Sequence, residues 1–241
     1  MRRVTIVKMP SNFSVEKAHA TQLRLSKKIV RKDVLPRKIR YIAGVDVAYA
    51  EGFSIGAVAV LDYESLSLKE SKTAVCKTLF PYIPTLLSYR EIPPTVSAIR
   101  KIKLKPDVFL VDGQGLMHPY RLGFASHLGL IIAKPTIGVA KSRLCGEVQA
   151  FTKEGWAPII DKEESIGAAV ATKKERSPVY VSIGNMISLE TAIAIAKHCT
   201  KTHAIPEPTR QAHIIATEEK RKMQNMLSYK ESCKEGDIRL G

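Results

Sequence analysis

Three carboxylates, Asp46, Glu91 and Asp112, stand at or beside expected strand ends or in turns marked by Gly and Pro. Asp46 lies in Ile42-Ala43-Gly44-Val45-Asp46-Val47-Ala48-Tyr49. Unpaired, an acid among such apolar neighbours would be costly to bury; a bound cation removes that cost. Asp112 ends the apolar run Val108-Phe109-Leu110-Val111 and opens Gly113-Gln114-Gly115. Ligands favour the carboxyl ends of strands in open α/β sheets, and glycines let backbone approach them closely. Glu91, between Arg90 and Ile92-Pro93, is by itself an ordinary acid at a helix start and gains meaning only with the other two. Carboxylates gathered from separate elements suit hard divalent cations.

Other groups could serve the same chemistry. His118 follows the Gly-Gln-Gly loop and could hold phosphate, move a proton or lie against a base. Lys141, in Gly138-Val139-Ala140-Lys141-Ser142-Arg143, could stabilise charge developing on a phosphoryl group. A solvated surface lysine is its plain alternative. In Pro81-Tyr82-Ile83-Pro84 two prolines fix φ and stiffen a loop carrying large apolar side chains. Such loops can wedge between bases. A turn that buries Tyr82 in the core is the competing expectation.

The charge points to a polyanionic partner. The 241 residues carry a formal net charge of +15, and residues 1–40 hold 12 Lys or Arg against 2 Asp or Glu. Basic charge beside an acidic metal site favours nucleic acid. Together these features imply a metal-dependent nuclease. Cys76, Cys145, Cys199 and Cys233 form no Cys-x-x-Cys pair, which argues against a structural zinc and a disulfide framework. A zinc base deaminase is excluded, since the His-x-Glu and Pro-Cys-x-x-Cys pattern is absent. No apolar run approaches the ~18 residues of a membrane span, and the start is too short in apolar residues for a secretory signal. The expectation is a soluble, cytoplasmic protein with no membrane partner.

Elements must bring these residues together. Ser14 to Val30 reads as a basic helix with Val15, Ala18, Leu23 and Ile29 on its apolar side. Residues 39–49, 54–63 and 67–79 read as strands of an antiparallel meander. A helix over 92–103, with Pro93 and Pro94 near its first turn, leads to a strand over 107–112. Then come a helix over 119–130, a strand over 131–139 interrupted by Pro135, and short strands over 156–183. Helices follow over 188–199, with Ser188 as N-cap, and from Pro206 or Pro208 to about 227. The pattern predicts a mixed α/β sheet with helices on its faces. One domain over 1–241 is expected, with a basic helical segment over about 1–38 and a frayed tail over about 228–241.

The chain resembles the endonuclease V family, nucleases that act at deaminated purines, chiefly inosine. The resemblance runs through Ile42 to Asp46, Phe80 to Pro84 with Arg90-Glu91, Asp112 to Gly115, His118-Pro119, Leu122-Gly123 and Ala125-Ser126-His127. It continues through Pro135 to Leu144, Ser188 to Thr191, and Pro206 to Arg210 with Ala212-His213. It implies an RNase H-like fold and magnesium, with manganese as substitute. It implies that Asp46, Glu91 and Asp112 hold the metal, that His213 stands near it, and that Lys141 acts near the scissile phosphate. It makes Pro81, Tyr82, Ile83 and Pro84 a strand-separating wedge. Gly113, His118, Gly123 and Leu144 match positions around the pocket for the flipped base. The implied activity is DNA repair: hydrolysis of the second phosphodiester bond 3′ of deoxyinosine by a monomeric enzyme, leaving a nick. The alternatives are an inosine-specific endoribonuclease and a non-catalytic nucleic-acid-binding protein. Thr85 stands where many members have Gly, and Phe124 where a smaller aliphatic is common; both bear on base selectivity.

Overall fold

The structure, a computed structural model, describes residues 11–172 and 177–237, with side chains through Ser228. The basic residues of 1–10 and the last four residues of the expected tail lie outside that range. One nine-stranded sheet runs in the order β3-β2-β1-β4-β5-β9-β8-β7-β6. Its first half contains β1 (Tyr41–Ala50), β2 (Phe53–Asp62), β3 (Leu68–Lys77), β4 (Val108–Asp112) and β5 (Thr136–Ala140). The first three form the expected antiparallel meander, and β4 and β5 join it in parallel. The second half is antiparallel: β9 (Val179–Asn185), β8 (Glu164–Val170), β7 (Trp156–Asp161) and the two-residue β6 (Glu147–Val148). Helices α1 (Val15–Ser26), α2 (Ser88–Ile99), α3 (Phe124–Ile132), α4 (Leu189–His198) and α5 (Glu207–Asp237) complete the RNase H-like arrangement. Among the described residues no helix is long and apolar enough to cross a membrane.

Strand alternation decides which helix each acid meets. On β1, Ile42 packs in the cluster that includes Ala212 of α5, whereas Ala43 and Val45 pack with Ala98 of α2 and Ala125 of α3. Gly44 shares the face of Ile42, and a Cβ there would fall 1.8 Å from the Pro208 carbonyl oxygen. Only glycine therefore lets the start of α5 lie on β1. On the other face, a Cβ on Gly56 would fall 2.4 Å from the Pro94 carbonyl carbon, so α2 lies on β2 equally closely. Ile42, Leu110 and Ile137 are fully buried. Each such side chain contributes about 1.5–3 kcal/mol.

Several boundaries differ from the sequence expectation. Helix α2 starts a turn early, at Ser88, with Pro93 and Pro94 inside it. Packing of its N-terminal turn explains this: Tyr89 stacks on Phe80, and Ser88 bonds His127 at 3.0 Å. Helix α3 starts at Phe124, because residues 119–123 form a turn with Arg121 at φ 53°. It runs through Ile132 to a left-handed Ala133, so 131–135 is helix end and turn, and β5 begins after Pro135. On α1 the buried residues are Ala18 and Gln22; Leu23 is exposed, and Ile29 lies beyond the helix. Helix α5 continues to Asp237, where fraying from about 228 was expected. The expected N-cap Ser188 accepts from Thr191 N, and Ser14 caps α1 by accepting from Lys17 N.

Candidate active site

Asp46 and Asp112 meet because β1 and β4 are parallel and in register. The ladder pairs Gly44 with Leu110 and Val45 with Val111, so Asp46 and Asp112 come next, side by side. Both follow the parity of Ile42 and Leu110 and so project toward the α5 face. From α5, His213 donates from Nδ1 to Asp46 Oδ2 at 2.7 Å. That bond leaves Nε2 as the unengaged ring nitrogen. Ligand atoms of Asp46, Asp112 and His213 all lie within 4.8 Å of one another. Lys141, just past β5, places Nζ 3.8 Å from Asp112 Oδ2.

Glu91 enters from α2 and is buried, with Oε2 lacking any hydrogen-bond partner. Burial, then the charges of Asp46 and Asp112, pushes its carboxyl up to about 8. Burial and Asp46 push Asp112 up to about 6, against the pull of Lys141 and His213. Without a cation these acids therefore hold protons far above the ordinary carboxylate range. A buried carboxylate oxygen with no partner, beside two more acids, is a donor set that fits a hard divalent cation. The cluster opens into a cleft of about 470 Å³, lined also by Tyr49 and by Thr217, Lys220, Arg221 and Gln224 of α5. The four α5 residues escaped the sequence reading. Their spacing from His213 is helical, and that was the available signal.

The loop between β3 and α2 carries the expected wedge residues. Tyr82 is 67% exposed, which rules out its burial in the core. The loop is anchored by Phe80 and Leu86, packed with Ala18, Phe13 and Ile83. Thr85 adopts φ 71°, a left-handed backbone that is unusual for a β-branched residue. Its hydroxyl bonds His19 at 2.9 Å, and its carbonyl accepts from Gln22 at 2.8 Å. Gln22 also donates to the Leu122 carbonyl at 3.3 Å, tying the wedge loop to the loop after β4. Neither contact of α1 was foreseen.

The residues expected around a base pocket are only partly drawn together. Gly113 packs against Phe124, and Gly123 caps α3 while its N–H donates to the Gly115 carbonyl at 3.0 Å. His118 is buried in the same loop, with Nδ1 accepting from Tyr120 N at 3.2 Å. Burial pushes its pKa down to about 4, against a hydrogen bond to the Thr85 backbone. It is thus a neutral ring engaged with backbone. Leu144 stands half-exposed on the separate loop after β5. Cys76, Cys145 and Cys199 are free thiols, as their spacing predicts.

Known proteins share this fold. The endonuclease V family model matches residues 23–214. Endonuclease V of Thermofilum pendens is 44% identical over 211 residues, covering 87% of this chain and 90% of that protein. The crystal structure of Endonuclease V from Streptomyces avermitilis superimposes with a TM-score of 0.82 at 32% identity, covering 91% of this chain and all of that one. Ciona intestinalis Endonuclease V, crystallised with a 24mer DNA containing an inosine followed by a ribo-adenosine, superimposes with a TM-score of 0.77 at 32% identity. That match covers 87% of this chain and 98% of that one. With Asp46, Asp112 and His213 gathered in one cleft, Lys141 beside Asp112, and a match across most of its length, the chain belongs to the endonuclease V family.

Proposed function

We propose that this protein is a magnesium-dependent repair endonuclease, with manganese as substitute, that hydrolyses the second phosphodiester bond 3′ of deoxyinosine in DNA. The observation that carries the reading is the in-register pair Asp46 and Asp112 under His213, within reach of Lys141. Asp46, Asp112 and Glu91 would hold the divalent cation, with His213 beside it. Bound there, the cation supplies Lewis acidity to the phosphoryl group and the attacking water. Asp46 holds the proton of His213 on Nδ1, so Nε2 can accept one. Lys141 puts a fixed positive charge where negative charge develops on the phosphoryl oxygens. Tyr82, exposed on an anchored loop, would replace the stacking lost when the base leaves the helix. The extruded base would lie against the loop after β4, around Gly113, His118 and Gly123, with Leu144 at its edge. A base held next to Asp112 puts the reacting phosphate a short distance along the strand.

Cleavage of matched strands tests this. DNA with one deoxyinosine, the same strand with guanine, and the corresponding RNA pair are incubated with magnesium or EDTA, and products are mapped at single-nucleotide resolution. We expect one nick, at the second bond 3′ of deoxyinosine, only with the metal. Equal cutting of the guanine strand, or cutting in EDTA, overturns the reading. Cleavage confined to RNA would move the substrate to inosine-containing RNA.

A further inference from the structure

Helix α5 runs well beyond Ile214, where the match to the family model ends. Past that point its two sides differ in charge. One side carries His213, Thr217, Lys220, Arg221 and Gln224 into the cleft beside Asp46. This is the spacing of a single helical stripe. The other side, with Ile215, Glu218, Glu219 and Lys222, faces Ser71 to Thr73 of β3. Both acids of the stretch 214–224 thus lie away from the cleft, and Lys222 is spent on Glu219 at 3.7 Å. Lys220 and Arg221 have no carboxylate partner among the described residues. A stripe with two unpaired cations and no acid, continuous with an acidic metal site, is complementary to a chain of phosphates.

We propose that this stripe of α5 binds the sugar–phosphate backbone of the cut strand on the 3′ side of the scissile bond. The polarity follows from sheet order and rests on the function proposed above. Across the sheet the site runs β1, β4, β5. The loop assigned to the base follows β4, and Lys141 follows β5. The α5 cleft instead opens over the end of β1, lined by Asp46 to Tyr49. A strand with its base on the β4 side and its phosphate at the acids leaves over β1, along α5. At 1.5 Å per residue, Lys220 to Gln224 lie about 10–17 Å beyond His213. That is about three to five nucleotides at 3.4 Å each. The stripe reads phosphate, so it adds affinity without base preference.

Binding in EDTA, where no cutting occurs, tests the contact. Labelled single strands with one deoxyinosine carry either eight or two nucleotides on its 3′ side. Wild type should bind the long 3′ flank more tightly and with a steeper salt slope. The Lys220→Gln/Arg221→Gln variant should lose most of that difference, its slope on the long strand falling by about 1.4 at ~0.7 per phosphate contact. Its melting temperature should not change, and shortening the 5′ flank should weaken both proteins alike. A variant that keeps the wild-type flank dependence and slope overturns the proposal. So does a variant defect that follows the 5′ flank. Guanine in place of inosine separates the two claims: equal affinity for both bases sinks the lesion reading, whereas unchanged flank dependence in the variant sinks only the α5 contact.

Discussion

Glu91 pays the highest local cost in the site, a buried carboxyl with an unpartnered oxygen facing two other acids. Its pKa rises from an ordinary 4.5 to about 8, so the folded metal-free chain binds the proton that the unfolded chain releases. The contribution of this group is fully present below about pH 4.5 and is lost as pH rises to about 8. In EDTA, wild type should therefore lose stability relative to Glu91→Gln between pH 5 and pH 8. Magnesium should restore wild type most strongly at the upper end. Thermal melts of both proteins across that range measure it, and parallel profiles would show that the carboxyl ionises freely in the fold. Asp46 and Asp112 were legible in the sequence because each sits in a distinctive local context, whereas Glu91, an ordinary helix-start acid by itself, stood out only beside them. The parity that puts Asp46 and Asp112 on one face also follows from their strands. What local sequence withheld was the partner: His213 reaches Asp46 only because Gly44, 169 residues before it in the chain, lets α5 lie flat on β1.

At the scale of elements, most strands were legible because alternation and short turns define them, and even the meander followed; the stretch 131–135 was an exception, closing α3 before β5 begins. The helices around the site were less so, because contacts rather than propensity set their ends. Two prolines suggested a helix starting at 92, yet packing of Ser88 and Tyr89 adds a turn before them. Glu91 is carried on that added turn. The wedge loop shows the opposite case, a stretch with no regular structure whose anchors make it firm. Phe80 and Leu86 are buried at its two ends, while Tyr82 between them stands exposed. Tyr82→Ala should leave thermal stability within about 0.5 kcal/mol, as for other surface substitutions. Stacking on a base is worth ~1–3 kcal/mol, so the same variant should bind inosine duplexes roughly tenfold more weakly. Leu86→Ala is the contrast, costing about 2–5 kcal/mol of stability. A Tyr82→Ala protein with full inosine preference would refute the wedge.

For the whole molecule, charge is the property that sequence shows most plainly and structure most revises. The excess of residues 1–40 reads as one basic surface, but its members have different fates. Arg31 pairs with Glu164, which also binds Arg121, and Lys38 pairs with Glu64 at 3.0 Å. Lys27 and Lys28 are exposed just past the end of α1, and neither has a carboxylate partner among the described residues. Helix α1 itself is tied through Gln22 to the wedge loop and to the loop after β4. These lysines therefore lie at the end of the element that supports the wedge, whereas Lys220 and Arg221 lie over β1. Reversing Arg31 would break a pairing inside the protein, so it would confuse stability with binding. Lys27→Glu/Lys28→Glu isolates the surface charge. If α1 follows the duplex on the wedge side, the slope of log K against log salt should flatten by about 1.8, at ~0.9 per phosphate. The melting temperature should stay near wild type. Because phosphate contacts carry no base information, the ratio of affinities for inosine and guanine duplexes should be unchanged. A wild-type slope in this variant would show that the basic end of α1 is a solvated face, and that the duplex is gripped elsewhere.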